Sequence, residues 1–246
     1  MLARSIVGHG GFDAVEVGKA YRAWRDSGPF DIGGTTSRGL SGQPDDASQA
    51  NGALMRVSPL AVRAHRLLPD RMAAVAREDA SITHPNPVCG DASSAFCVAI
   101  AYAIDKGGDA RAAYTAALDW ARKAQVQPSV LQALEAASSE PRREYSHQMG
   151  WVLIALQNAF YQLLHAATLE AGLVDTVRRG GDTDTNGAIA GALLGAVHGR
   201  EGVPQRWRRA VLSCRPIGGT HPRPKTFWPV DVLELAEQLL AHGPQG

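Results

Sequence analysis

Gly180-Gly181-Asp182-Thr183-Asp184-Thr185-Asn186-Gly187, followed by a Gly- and Ala-rich run to about His198, is the stretch from which the rest of this 246-residue sequence is best read. Two carboxylates stand two residues apart, with a hydroxyl beside the second and glycines on both sides. On a helix, residues at i and i+2 face apart. In a turn that opens a helix they converge, and oxygen-only donors of this kind suit a hard cation such as magnesium, manganese or calcium better than zinc. The plain structural alternative is a capped helix start, where Asp and Thr satisfy free N–H groups and complement the helix dipole. Spacing alone leaves both readings open. The helix that follows carries Gly187, Gly191, Gly195 and Gly199 four residues apart, a smooth ridge on which close packing by a neighbouring helix is expected.

Working outward, Glu170 to Arg179 reads as a connector, and His147 to Leu169 is apolar on nearly every face, as expected of a helix at the centre of a bundle. Between Phe12 and Trp24 the apolar residues recur mostly every three or four positions, the stripe of an amphipathic helix that stops at Ser27-Gly28-Pro29. Further helices are expected over Gly52 to Leu68, Pro69 to Ser81, Asp91 to Lys106, Ala110 to Ala124 and Pro128 to Ala137, each bounded by Gly, Pro or a capping residue. A last helix is expected over Val230 to Ala241, after a loop from Pro216 to Pro229. No stretch alternates with the period of a strand, so the fold class is all-α. Asp31 to Asn51 has only Ile32 and Leu40 as large apolar residues and reads as a long polar loop. Loops of that length in a compact domain usually bind something or are disordered.

Composition narrows the partners. Lys and Arg number 25 against 24 Asp and Glu, so no whole-protein field favours nucleic acid or an anionic membrane. Any phosphate-bearing ligand must be held locally. Cys89, Cys97 and Cys214 are odd in number and lack CxxC spacing, which fits a reducing compartment and argues against a disulfide framework or a zinc site. No basic, apolar leader opens the chain, and the apolar windows Trp151 to Leu156 and Ala188 to Val197 fall well short of the roughly 18 to 20 residues that span a bilayer. A cytoplasmic, soluble monomer is the expectation, read as one domain over residues 1–246 because nothing marks a seam between two cores.

Four segments in order resemble a known family. Pro29-Phe30-Asp31-Ile32-Gly33-Gly34-Thr35-Thr36, Asn51-Gly52-Ala53-Leu54-Met55-Arg56, Ile82-Thr83-His84-Pro85 and Gly180-Gly181-Asp182-Thr183-Asp184-Thr185 are similar to the motifs of the ADP-ribosylglycohydrolase family, of the dinitrogenase reductase-activating glycohydrolase and ADP-ribosyl-acceptor hydrolase type. The resemblance implies a single-domain orthogonal helical bundle. It implies hydrolysis of the N- or O-glycosidic bond linking ADP-ribose to a protein side chain or another acceptor, with an ADP-ribosylated protein or small ADP-ribose conjugate as partner. In that reading Asp182, Asp184 and Thr185 are ligands to magnesium, two ions in the family, with manganese able to replace it.

Gly33 and Gly34 would lie beside the ADP-ribose phosphates, where a missing side chain lets backbone N–H groups approach an anion. Ser48 matches a position touching the diphosphate, Asn51 and Gly52 match the loop at the ligand pocket, and His84 matches a histidine near the bound ribose. Arg56 either pairs a phosphate or ties the loop to a carboxylate, and the second is favoured because Arg forks often fix loops.

The departures count as well. The family's upstream Gly-Asp-Ala-Leu-Gly segment, a downstream Glu and a Thr-Asp-Asp-Thr motif do not occur, and Asp45-Asp46 lacks the hydroxyl residue of that motif. The catalytic residue is therefore not named, and the chain is expected to lack the family's N-terminal metal-binding segment, beginning inside the helix that follows it. Two alternatives stand: a catalytically impaired ADP-ribose-binding or structural relative that has lost half of the dimetal site, and an unrelated helical magnesium phosphohydrolase.

Overall fold

A computed structural model describes residues 1–142, 144–218 and 221–241. They form α1 (Leu2–His9), α2 (Ala14–Asp26), α3 (Gly34–Leu40), α4 (Ser58–Arg63), α5 (Pro69–Ser81), α6 (Pro87–Lys106), α7 (Ala110–Lys123), α8 (Pro128–Ala137), α9 (Val152–His165), α10 (Leu169–Arg178), α11 (Thr183–Gly202), α12 (Gln205–Leu212) and α13 (Val232–Ala241). No strand occurs among the described residues, only an isolated antiparallel bridge between Ala50 and Trp151.

Two apolar helices organise the core. α6 packs against α4, α5 and α7, and α9 packs against α8 and α11, with Phe96, Ile100, Leu134, Leu156, Phe160 and Leu193 wholly enclosed. Burying one such side chain contributes about 1.5–3 kcal/mol. α6 is long and apolar enough to cross a membrane by length and composition, a longer but less apolar stretch than the two windows singled out from the sequence, and 83% of that span is buried in this bundle. Its apolar character on every face is that of a core helix.

Several boundaries differ from the sequence reading, each for a local reason. The long central helix is shorter, Val152–His165, because Gln148 adopts φ 52° and the extended Trp151 pairs with Ala50: the Val152 N–H donates to the Gln49 carbonyl at 2.9 Å. The expected connector is instead α10, capped by Thr168, whose side chain accepts from the Ala171 N–H. The long polar loop is interrupted by α3. Gly52 to Leu68 is not one helix but a turn, a 3-10 turn at Leu54–Arg56 and α4, broken where Pro59 removes a backbone donor. α6 starts at Pro87 under an Asn86 cap, four residues before the expected Asp91, which pairs with Arg77 instead. α12 was not expected at all.

The glycine ridge also packs differently. A Cβ at Gly187, Gly195 or Gly199 would meet nothing within 4 Å, and one at Gly191 would meet only Leu173. Close approach of α10 to α11 passes through Gly172, where a Cβ would stand 2.7 Å from Leu194 Cδ1. That contact sets the angle at which α11 delivers its N-terminus to the site.

Candidate functional site

The turn Gly180-Gly181 carries the chain from α10 into α11 with φ 77° and 70°. A Cβ at Gly181 would lie 2.0 Å from the Tyr145 carbonyl oxygen, so only glycine fits between the two segments. Tyr145 is itself fixed: its hydroxyl donates to Asn158 Oδ1 at 3.0 Å, and Asn158 Nδ2 donates to Thr176 Oγ1 at 3.0 Å. The turn is thus braced from the core.

Asp182 sits at the N-cap position of α11, yet its side chain caps no helix N–H. Its Oδ2 accepts instead from Asn51 Nδ2 at 2.8 Å, across 131 residues of sequence. The capping alternative therefore does not account for Asp182. Asp184 is exposed and Thr185 is buried on the first turn of α11. Next to them Asn186 is wholly enclosed, with neither its amide nitrogen nor its oxygen given a hydrogen-bond partner. A buried unsatisfied amide is unusual and calls for a water or a ligand. No group of three or more His, Cys, Asp or Glu side chains able to hold a metal ion occurs among the described residues.

Asn51 is anchored on its other side by its N–H, which donates to the Gly150 carbonyl at 2.9 Å. The adjacent Gly52 is pressed against the His84 turn: a Cβ there would lie 2.9 Å from Thr36 Oγ1 and 3.0 Å from His84 Nε2. Thr36 also borders Gly33, whose absent Cβ would stand 4.0 Å from the same oxygen. Gly33 and Gly34 form the exposed start of α3. Ser48 Oγ lies 2.7 Å from Thr35 Oγ1 and so braces α3. At the other end of α3, a Cβ at Gly39 would fall 2.6 Å from Thr83 Cα, which holds this helix over the His84 turn.

His84 is 1% exposed. Burial first, and the Arg56 guanidinium second, lower its pKa to about 3, so the imidazole is neutral at neutral pH. Arg56 takes the structural role: its Nε donates to Asp79 Oδ2 at 3.2 Å, its Nη2 to the Asp79 carbonyl at 2.8 Å and its Nη1 to Thr83 Oγ1 at 2.7 Å. Tyr21 completes the cluster, its hydroxyl donating to Asp79 Oδ1 at 2.6 Å.

Asp182, Asn51, Gly52, His84, Gly33 and Ser48 thus belong to one neighbourhood, linked through Thr35 and Thr36. Beside it lies a cavity of about 590 Å³ lined by Ala47, Gln49, Ala50, Gln148, Met149, Gly150 and Trp151. Sequence reasoning missed the Gln148-to-Trp151 segment and Thr83. The signals available for them were the Gly150-Trp151 pair inside an apolar run and a hydroxyl directly before His-Pro.

Comparison with known proteins follows the same line. The sequence model of the ADP-ribosylglycohydrolase family matches residues 1–245. An ADP-ribosyl-[dinitrogen reductase] glycohydrolase of Rhodospirillum rubrum is 27% identical, over 84% of this chain and 68% of that protein. An ADP-ribosylarginine hydrolase of Pseudomonas putida is 23% identical, over 99% of this chain and 64% of that protein. Among solved structures, a chain of an ADP-ribosylglycohydrolase-related protein complex superposes with a TM-score of 0.79 at 26% identity, over 99% of this chain and 78% of the other.

Proposed function

The chain belongs to the ADP-ribosylglycohydrolase family, glycosidic-bond hydrolases, and on that premise we propose that it cleaves the bond between C1 of ADP-ribose and a modified protein side chain or other acceptor, using magnesium or manganese. The observation that carries the reading is the Asp182 carboxylate. It stands at a helix start without capping it and is turned toward Asn51, beside a glycine whose missing side chain lets the backbone lie against the buried His84 ring.

Asp182, Asp184 and the Thr185 hydroxyl offer the all-oxygen donor set of a hard cation, and the unsatisfied Asn186 amide lies at the same helix turn. In chemistry these residues fit magnesium. When bound, such a cation polarises the reacting centre and lowers the pKa of a coordinated water. The chain's own residues do the rest: Asn51 orients Asp182, Gly52 admits the ligand, and the backbone at Gly33 and Gly34 receives the diphosphate. The relatives named for arginine-linked and dinitrogen reductase-linked ADP-ribose make a modified protein the first substrate to try.

One observation favours a second reading, an ADP-ribose binder of impaired turnover: no third acidic, histidine or cysteine side chain joins Asp182 and Asp184 among the described residues. The test incubates the protein with ADP-ribosylated arginine or protein and follows free ADP-ribose with magnesium, with manganese and after exhaustive chelation. Release that chelation abolishes supports the proposal. Undiminished release removes the metal from it, and binding of ADP-ribose without release in any metal selects the second reading.

A further inference from the structure

Thr83 is fully buried and its hydroxyl oxygen has two neighbours, Arg56 Nη1 at 2.7 Å and His84 Nδ1 at 2.7 Å. A guanidinium only donates, so Arg56 occupies one lone pair of Thr83 Oγ1. The hydroxyl proton then has a single acceptor in reach, His84 Nδ1. Were Nδ1 protonated, Thr83 would accept twice and its own proton would be buried without a partner, an arrangement that buried polar groups avoid. With the imidazole neutral, the remaining proton lies on Nε2. That atom is enclosed, has no partner, and stands with Thr36 Oγ1 around the point where a Cβ of residue 52 would be.

The Thr83 hydroxyl is in turn held from below. Arg56 is clamped by the Asp79 carboxylate and carbonyl and lies 4.5 Å over the Tyr21 ring, while Tyr21 binds the other Asp79 oxygen. Rotation of Arg56 would leave a buried carboxylate unpaired, so the direction of its donation to Thr83 is fixed by the fold.

We infer that Thr83 is a positioning residue of this site, holding His84 as the neutral Nε2–H tautomer so that Nε2–H donates to an acceptor oxygen of the bound ADP-ribose above Gly52. The inference rests on the proposed ligand. Arg56, Asp79 and Tyr21 act through Thr83 and touch no ligand. A side chain at residue 52 would clash with Thr36 Oγ1 and the His84 ring, so the backbone can come this close to Nε2 only at a glycine.

The test uses the full chain labelled with 15N in its histidine rings, with the His84 signals assigned by His84→Gln. Without ligand, Nε2 should give the protonated-nitrogen resonance and Nδ1 the unprotonated one, and added ADP-ribose should move the Nε2–H signal. Thr83→Val, of equal size but without a hydroxyl, should weaken ADP-ribose binding about tenfold, the worth of one ordinary hydrogen bond, while Thr83→Ser should bind within about twofold of the parent. A proton on Nδ1 in the parent protein overturns the inference even where ADP-ribose binds. So does Thr83→Val binding as tightly as the parent, or Thr83→Ser binding as weakly as Thr83→Val. Absence of ADP-ribose binding by the parent overturns both this inference and the function proposed above.

Discussion

Around His84 the polar groups are enclosed and joined through Tyr21, Asp79, Arg56 and Thr83, whereas around Asp182 the carboxylates lie at a glycine turn open to water. The first draws on residues from Tyr21 to His84 and the second on one short turn, and they meet at Asn51-Gly52, yet they are built to respond differently. The His84 side is tied to stability, because its buried members are hydrogen-bonded to one another. The Asp182 side adds little to the core, so its residues are free to serve a ligand. Damage on the His84 side should therefore register in stability as well as in ligand binding, and damage on the Asp182 side in activity with little loss of stability.

The largest effect is expected from Arg56→Met, which leaves Asp79 wholly buried with its main partner gone. Breaking a buried pair in this way costs about 3–5 kcal/mol, and denaturant unfolding should report that loss. A cost below about 1 kcal/mol would mean that the cluster is no structural unit. Next comes Asp184→Asn: turnover should fall about a hundredfold or more, the scale of losing metal-derived stabilisation of charge. Its melting temperature should move by no more than about 2 °C, as for an exposed surface position. A large drop in melting temperature with activity retained would reverse the contrast between the two sides.

An effect that is smaller over any one pH unit follows from the neutral His84. Its folded-state pKa, about 3, lies below the ordinary 6.5, so between those values the unfolded chain binds the extra proton. Stability should fall as pH drops from 6.5 toward 3, by up to about 1.4 kcal/mol per pH unit from this group. His84→Gln should flatten that limb, and an unchanged slope would mean that the ring is already solvated.

Much of the helical framework was legible because some boundaries are written in single residues. Pro69 and Pro128 open α5 and α8 where expected, and both helices close where expected. α3 and α10 were not legible: α3 is seven residues of small polar text, and the buried face of α10 is carried by Leu169, Gly172 and Thr176, of which only one is a large apolar residue. The break before Val152 was hidden because it arises from pairing between Trp151 and Ala50, a hundred residues apart in sequence. The same distinction holds for the site. Asp182, Asn51, Gly52 and His84 stood out because each lies in a motif, and the structure brings them together. Thr83, although it lies in the same motif as His84, did not, since a buried threonine gains its meaning only from Arg56 and His84 on either side of its hydroxyl.

Which bond is broken bears most directly on the whole account. Incubation of the 246-residue chain with an arginine-linked ADP-ribosylated protein and magnesium, followed by mass analysis of both products, should yield intact ADP-ribose and a fully unmodified acceptor. AMP, with a phosphoribose remnant left on the acceptor, would place the cleavage at phosphorus and contradict the account.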